Sequence, residues 1–170
     1  MEPLISCRRA TANDVELFKK IRLRALLDSP NAFGATYEDA VKRSDASWRE
    51  QLLSTVQGSL RNTQLAFAAD DCIGLAALYR EPGADSGDLL MMWVDPGFRG
   101  SAAASLLVHG LLEWATVSGL STVGLSVADT NARAIGFYRK HGFSGTGEET
   151  DLDPTRGLRC VRMVTRLTDR

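Results

Sequence analysis

A short segment near the middle of the chain has the residue types expected of a phosphate-binding turn. Residues 94–107 read VDPGFRGSAAASLL, so a proline ends an apolar run, and an arginine and small residues precede a helical pattern. The first N–H groups of a helix lack internal partners and carry partial positive charge, and small side chains let a ligand approach them. The segment could therefore bind a phosphate or pyrophosphate, with Arg99 adding a full charge. An ordinary strand-to-helix turn, with alanines favoured by helix propensity, would have the same residues.

Two familiar nucleotide-binding signatures are absent from this segment. It contains neither G-x-G-x-x-G nor a glycine followed by lysine and serine or threonine, so neither a dinucleotide fingerprint nor a P-loop is indicated. An unrelated nucleotide-binding α/β domain would need a phosphate loop directly after its first strand. Residues 8–11, which read RRAT, offer none.

A second segment places an amide and a phenol on one helix face. Residues 131–143 read NARAIGFYRKHGF. Asn131, Ala134 and Tyr138 are spaced three and four residues apart, so they share a face, and the small residue between them leaves room for a ligand. The alternative is that Phe137 and Tyr138 are only core aromatics.

Together, the two segments resemble the two signatures of the GNAT superfamily of N-acetyltransferases. The first signature is Arg/Gln-x-x-Gly-x-Gly/Ala after a strand ending in Val-x-Pro. Arg99 and Ala104 match it, while Ala102 stands where the family usually has glycine. The second signature, Asn-x-x-Ala-x-x-x-Tyr-x-x-x-Gly-Phe, is matched by residues 131–143, and the resemblance covers about residues 62–167. An alanine at position 102 is unfavourable only if its backbone must adopt a positive φ.

The resemblance implies an enzyme that moves acetyl from acetyl-coenzyme A to a primary amine by direct attack. In the family, the strand before the turn splays from its neighbour, and its exposed backbone binds the pantetheine arm like an added strand. The N–H of Met92 then polarises the thioester carbonyl and Val94 binds the pantetheine amides, while Trp93 between them points to the other face. The resemblance also implies that backbone amides at six positions hold the pyrophosphate: Arg99, Gly100, Ser101, Ala102, Ala103 and Ala104.

The second signature supplies the other roles that the resemblance implies. Tyr138 matches the tyrosine that protonates the departing thiolate, and a neutral phenol, with an ordinary pKa of about 10, suits that task. Asn131, with Ala134 and Phe137 on the same helix, contacts the cofactor. Asp88 occupies the start of the splayed strand, where some members carry a carboxylate base, and it could equally be an exposed aspartate at a strand start.

The amine acceptor stays open at this stage. The family's acceptor site lies between the first two helices and the opposite side of the splayed strands, where Phe33, Tyr37, Trp48, Tyr79 and the loop 81–87 are candidates. These residues could equally serve packing. A small amine, an amino acid, an antibiotic and a protein N-terminus all remain possible. A non-catalytic acyl-coenzyme A sensor or binding module is the main alternative function, and Tyr138 argues against it.

The elements that must position these residues follow from periodicity. They predict one domain over residues 1–170, of class α/β (α+β), with a mixed, mostly antiparallel sheet of about seven strands and helices on both faces. This is the acyl-CoA N-acyltransferase fold that the resemblance implies. Thr11 with Asp14, and Ser44, have the pattern of helix N-caps. Strands are expected at 4–9, 65–69, 73–79, 89–94, 122–127, 143–148 and 158–167, and helices at 12–29, 45–57, 101–118 and 131–141, with residues 31–42 as a connection.

Composition limits the partners and the location that we expect. Lys and Arg total 20 against 21 for Asp and Glu, which gives no electrostatic case for a nucleic acid or membrane surface. No apolar run approaches the roughly 20 residues that cross a bilayer, and the first nine residues do not resemble a signal peptide.

Cys7, Cys72 and Cys160 are far apart in the sequence, and we interpret them as reduced thiols. We therefore expect a cytoplasmic monomer or homodimer. Without a C-x-x-C pair, and with only His109 and His141, no metal site is predicted.

Overall fold

The computed structural model describes residues 2–167 as a seven-stranded sheet with helices on both faces. The strands are β1 (Ile5–Arg9), β2 (Arg61–Ala68), β3 (Asp71–Tyr79), β4 (Ser86–Val94), β5 (Thr122–Ala128), β6 (Ser144–Asp153) and β7 (Leu158–Arg166). The helices are α1 (Val15–Asp28), α2 (Tyr37–Ala40), α3 (Asp45–Leu53), α4 (Ala103–Val117) and α5 (Ala132–Lys140). The strand order is β1-β2-β3-β4-β5-β7-β6, and β4 with β5 is the parallel pair in an otherwise antiparallel sheet. The predicted fold class is confirmed.

The two faces of the sheet carry separate apolar layers. Along β3, Leu75 packs with the α1 and α3 layer, while its neighbour Ala76 packs with the α4 and α5 layer. On the first face, the rings of Phe18 and Trp48 meet edge to face, with centroids 5.9 Å apart. On the second face, Leu107 of α4 is fully buried. No helix within residues 2–167 is both long and apolar enough to cross a membrane.

The start of the first helix confirms the predicted capping box. The Thr11 hydroxyl accepts from the N–H of Asn13, and the Asp14 carboxylate accepts from the N–H of Thr11 at 2.7 Å. Arg8 also donates to Asp14 at 2.7 Å, which joins β1 to the helix. These bonds, that from Arg8 foremost, lower the pKa of Asp14 from 3.8 to about 2. The first turn, Ala12–Asp14, is 3-10 rather than α-helical.

Three local expectations were wrong. The connection over residues 31–42 contains the short helix α2, whose N-terminus is capped by Thr36. Helix α3 begins at the predicted cap, Ser44, but ends at Leu53 rather than near position 57, because Thr55 turns back to the carbonyl of Leu52 at 2.7 Å. Strand β6 continues to Asp153, and the turn after it is the 3-10 segment Pro154–Arg156.

Candidate active site

The parallel strands β4 and β5 separate part-way along their length. They pair only at Ser86 with Thr122, Gly87 with Val123 and Asp88 with Gly124. Past that point the two strands line a cavity of about 710 Å³, which is closed on its other sides by the start of α4 and by α5. The run at 89–94 is apolar on both faces, as the sequence showed, but residues 90–92 are only half-buried because they face this gap.

An irregularity in β4 lies beside the cavity. Leu75 pairs with Trp93 and Ala77 pairs with Leu90, so Ala76 alone lies opposite both Met91 and Met92. This is a β-bulge, and Met91 adopts a φ of 56° there. Because the pairing with β5 has already ended, the edge of β4 that faces the cavity has no strand partner along 89–94. Such an edge can hydrogen-bond an extended ligand.

Trp93 points away from the cavity, as its position in the strand predicted. Its ring belongs to the α1 and α3 layer, and its Nε1 donates to the Asp28 carboxylate at 3.0 Å. Met92 and Val94 pack with the opposite layer, beside α4. Only the backbone of Trp93 is therefore available to a ligand in the gap.

The turn between β4 and α4 has a defined backbone. Asp95 accepts from the N–H of Gly97 at 2.8 Å and caps the 3-10 segment Pro96–Phe98. Gly100 follows with a φ of 85°, a conformation that favours glycine. Ala102 has φ −70° and ψ −9°, which is ordinary right-handed helix. The alanine at position 102 therefore introduces no strain, because the positive φ falls two residues earlier.

The six amides of the turn divide into two sets. The N–H groups of Arg99 and Ser101 donate to carbonyls of the preceding 3-10 turn, at 3.4 and 3.2 Å, and that of Ala103 donates to the Ser101 hydroxyl at 3.2 Å. The other three, which belong to Gly100, Ala102 and Ala104, form no hydrogen bond with any group in residues 2–167. Gly100 and Ala104 line the cavity. The start of α4 thus offers free donors with the positive end of the helix dipole behind them.

The side chain of Arg99 is directed toward the protein. Its Nη2 donates to the Asp28 carboxylate at 2.7 Å, and its Nε donates to the carbonyl of Val94 at 3.1 Å. Hydrogen bonds from Ser29, Trp93 and Arg99 together lower the pKa of Asp28. Arg99 therefore ties the turn to β4 and to the end of α1, in contrast to a guanidinium that points freely at a ligand.

Tyr138 lies in the cavity wall on α5. It is 6% exposed, and its hydroxyl makes no hydrogen bond with any group in residues 2–167. The rings of Phe137 and Phe143 meet its ring at 5.4 and 5.7 Å between centroids. Burial raises the pKa of Tyr138 above its usual value. The phenol is therefore neutral at physiological pH and free to donate its proton.

The amide predicted on the same helix has a structural role as well. Asn131 is the N-cap of α5, and its Oδ1 accepts from the N–H of Ala134 at 3.1 Å. Asn131 and Ala134 line the cavity together with Tyr138, as their shared helix face predicted, and Phe137 lines it as well. The side-chain nitrogen of Asn131 is not engaged by the cap.

The predicted carboxylate, Asp88, lies where β4 and β5 part. It is ion-paired with Arg162 of β7 and does not line the cavity. Its cross-strand partner is Tyr79, so both side chains lie on the same face of the sheet. The absence of a side chain at Gly124 leaves the space that the Arg162 guanidinium occupies.

Three cavity residues had been interpreted differently or overlooked. His141, which the sequence analysis considered only as a metal ligand, lines the cavity, with its Nε2 3.1 Å from the Ser105 hydroxyl and its Nδ1 2.9 Å from the carbonyl of Phe137. His141 follows Phe137 by four residues, and this helical spacing could have placed both residues on the same side of the chain. Arg133 and Lys140 on α5 also line the cavity and bring positive charge to it.

The acceptor candidates are dispersed. Phe33 lines the cavity, but Tyr37, Trp48, Tyr79 and the loop 81–87 do not. Trp48 is fully buried in the α1 and α3 layer. The sequence could not distinguish aromatic residues that line the cavity from those that pack in the core, because an aromatic residue in a helix or loop is suited to both ligand binding and packing.

Comparisons with known proteins agree with this geometry. A family model described as the acetyltransferase (GNAT) family matches residues 25–143. An uncharacterized N-acetyltransferase of Mycobacterium tuberculosis is 37% identical over 78 residues, which are 46% of this chain and 49% of that protein. The chain spans about half the length of the curated relatives it matches.

Solved structures show the same fold at low sequence identity. An acetyltransferase of the GNAT family from Streptococcus pneumoniae is similar with a TM-score of 0.82 and 21% identity, over 96% of this chain and 99% of that one. A protein from Salmonella typhimurium, solved with its cofactor acetyl-CoA, is similar with a TM-score of 0.79 and 16% identity, over 96% of this chain and 94% of that one.

Proposed function

This chain belongs to the acetyltransferase (GNAT) family, and we propose that it is an acyltransferase that moves acetyl from acetyl-coenzyme A to a primary amine by direct attack. One observation carries the proposal. The gap between β4 and β5 opens onto the amides at the start of α4 and has the phenol of Tyr138 in its wall, and neither these amides nor the phenol has a hydrogen-bond partner in residues 2–167.

The start of α4 fits the diphosphate of the donor. Gly100, Ala102 and Ala104 carry amides with no acceptor in residues 2–167, and their small side chains leave the backbone accessible. Arg133 and Lys140 add positive charge on the opposite wall. Charge-assisted hydrogen bonds from such donors are shorter and stronger than neutral ones. In this proposal Arg99, Ser101 and Ala103 shape the turn that presents the three free amides.

The free edge of β4 fits the pantetheine arm. Backbone groups from Met92 to Val94 pair with its amides as a neighbouring strand would, with Asn131, Ala134 and Phe137 along the other side. The donor supplies a thioester whose carbonyl is open to attack. The N–H of Met92, next to the bulge, donates to that carbonyl oxygen, and one preorganised donor of this kind contributes about 3 kcal/mol.

Tyr138 acts as the general acid. The hydroxyl of this buried side chain keeps its proton because its pKa is raised, and it has no competing acceptor within residues 2–167. It therefore donates the proton that the departing sulfur needs. The arrangement supports a chemical role rather than a packing role, because a tyrosine selected only for packing gains nothing from a hydroxyl without a partner.

Asp88 is the carboxylate proposed on the acceptor side. It stands where the strands part, held by Arg162. From there it anchors a water through which the amine loses its proton, since the attacking amine must be neutral. The variant Asp88→Asn tests this role: kcat/KM falls while coenzyme A affinity is unchanged, and an unchanged kcat/KM removes Asp88 from the reaction.

A screen of primary amines tests the function directly. Protein and acetyl-coenzyme A are incubated with single amines, amino acids, aminoglycoside antibiotics and peptides with free N-termini, and the release of free thiol is followed. Amine-dependent release, with the acetylated amine found by mass spectrometry, is the expected result. Tight coenzyme A binding without release for any acceptor class would instead indicate a non-catalytic acyl-coenzyme A-binding module.

A further inference from the structure

A buried arginine without an anionic partner lies on the α1 side of the sheet. Arg22 of α1 is 8% exposed, and its Nη1 is sealed from solvent and has no hydrogen-bond partner in residues 2–167. Within the described part of the chain, no carboxylate forms an ion pair with it. Its guanidinium carbon lies 4.5 Å from the centroid of the Phe33 ring. An unpaired buried charge destabilises a fold, so packing alone does not explain it.

Three further polar groups on this side also lack partners. They are the Tyr79 hydroxyl, the side-chain carbonyl of Gln51 and the indole N–H of Trp48. Residues 2–167 contain six buried side-chain polar atoms without a partner, and four of them belong to these three residues and Arg22. We call Arg22, Trp48, Gln51 and Tyr79 the Arg22 cluster. Because buried polar groups are normally hydrogen-bonded, their occurrence together on this side of the sheet indicates a missing partner.

The surroundings of the Arg22 cluster are positively charged. The Arg43 guanidinium lies 3.9 Å from the Trp48 ring centroid, and that of Arg61 lies 4.9 Å from the Tyr79 ring centroid. Neither forms an ion pair with a group in residues 2–167. Burial, with a smaller effect of Arg43, lowers the pKa of Arg22 to about 10, so Arg22 is still a cation at neutral pH. The missing partner is therefore an anion.

One layer of side chains separates the Arg22 cluster from the cavity. Phe33, which covers Arg22, lines the cavity, and so does Met91, whose sulfur lies 3.9 Å from the side-chain nitrogen of Gln51. Arg156 holds the carbonyl of Phe33 at 2.8 Å, so the ring can turn about its side-chain bonds while the loop backbone stays in place. For the Arg22 guanidinium to reach the cavity, the Phe33 ring has to turn.

We propose that Arg22, with the Tyr79 hydroxyl, binds a carboxylate carried by the acceptor, so that the substrate is an amine bearing a nearby carboxylate. This inference rests on the proposed acyl transfer. A planar carboxylate accepts two parallel hydrogen bonds from a guanidinium, and a phenol can donate a third. The same face of the sheet carries Asp88, which is opposite Tyr79 in the β3 and β4 ladder. The carboxylate and the reacting amine are thus bound on one side of the gap.

Matched pairs of acceptors test the proposal. Each pair is an apolar α-amino acid and its carboxamide, such as leucine and leucinamide, assayed by thiol release with saturating donor. The carboxylate raises the pKa of its neighbouring amine, so the amide has more of the reactive neutral form. A higher kcat/KM for the acid therefore has to come from binding of its carboxylate by the protein. We expect kcat/KM to favour the acid by about tenfold or more, as a charge-assisted hydrogen bond gives.

Two variants of Arg22 and one control variant test whether that preference comes from Arg22. In Arg22→Gln the preference for the acid disappears through a higher KM for the acid, while the affinity for coenzyme A is unchanged. Lys20→Gln removes the same charge from an exposed position on the same helix and keeps the preference. Arg22→Met removes an unpaired charge, so its melting temperature equals or exceeds that of the parent. A large fall in melting temperature would instead make Arg22 a structural residue and overturn the proposal.

The outcomes separate this inference from the proposed function. Equal kcat/KM for acid and amide in the parent protein overturns the carboxylate site and leaves acyl transfer intact. If no amine is acetylated, acyl transfer fails, and calorimetric titration of leucine into the coenzyme A complex decides the inference. Binding that is lost in Arg22→Gln supports the site, and the absence of binding overturns it.

Discussion

Arg99 and Asp28, 71 residues apart in sequence, form an ion pair of 2.7 Å that ties the end of α1 to the turn before α4. The same carboxylate accepts from the indole of Trp93 at 3.0 Å, so it also holds β4. Asp28 thereby fixes the turn with its free amides relative to the free strand edge. The proposed donor site depends on the relative position of these two parts.

Arg99→Ala and Asp28→Asn are expected to weaken coenzyme A binding to a similar extent, by several-fold each. The reason is that both remove the same link, so the double variant should bind about as weakly as either single variant. Calorimetry with coenzyme A measures this. Arg159→Ala, which breaks an exposed ion pair with Glu149, serves as a control. Tighter binding in Asp28→Asn would instead mean that Arg99, once released, acts on the ligand as a direct charge.

Tyr138→Phe should lower kcat by about 100-fold or more and leave the dissociation constant of coenzyme A unchanged, because the proton donor is lost and the ring is kept. Since the pKa of Tyr138 is raised above its usual value, its ionisation causes no fall in rate below about pH 10. Steady-state kinetics across pH tests both points. Tyr37→Phe, outside the cavity, is the matched control. A variant as fast as its parent would exclude the acid role.

Glycine is needed at position 100 but not at position 102. Gly100→Ala places a side chain at a φ of 85° and should cost about 1 kcal/mol of stability as well as weaken coenzyme A binding. The added Cβ meets no atom within 4 Å, so the cost is conformational. Ala102→Gly restores the usual glycine of the family but should leave stability within about 0.5 kcal/mol of the parent and should not improve affinity, because Ala102 is the N-cap of α4 and its backbone needs no positive φ.

Thermal melts and calorimetry compare the two variants. A clear gain in coenzyme A affinity for Ala102→Gly would show that the alanine does impair the donor site. In that case the backbone at position 102 would have to change when the donor binds.

Asp14 makes stability depend on acid pH. Its folded pKa of about 2 lies below the ordinary 3.8, so its contribution is complete above pH 4 and is lost as the pH falls from about 4 to about 2. Asp14→Asn should cost about 2 kcal/mol at pH 7 and flatten that part of the stability curve. Denaturant unfolding at several pH values measures this. Asp45→Asn, at an exposed pair with Lys19, should change little. If Asp14→Asn loses as much stability at acid pH as the parent protein does, Asp14 is not the source of that loss.

Local residue patterns were sufficient for much of the fold. The caps at Thr11 and Ser44 are encoded within three residues, and both form as predicted. Asn131, the N-cap of α5, and Tyr138 on α5 lie on one face, because helical spacing alone determines which residues share a face. These features depend on neighbours in sequence, and such features are readable without a structure.

Contacts between distant residues could not be read in this way. The pairing of Arg162 with Asp88 joins strands 74 residues apart, and that of Arg99 with Asp28 joins a turn to a helix end. Charges of either sign are scattered through the sequence, and only the register of the sheet decides which of them meet. The unpartnered state of Arg22 has the same origin, since absence of a partner is a property of the packed protein.

The crystal structure of this protein with acetyl-coenzyme A tests the central claim most directly. The account predicts the diphosphate on the amides of Gly100, Ala102 and Ala104, the thioester carbonyl at the N–H of Met92, and the sulfur within reach of the Tyr138 hydroxyl. A donor bound outside the gap between β4 and β5, with those three amides left unused, would contradict it.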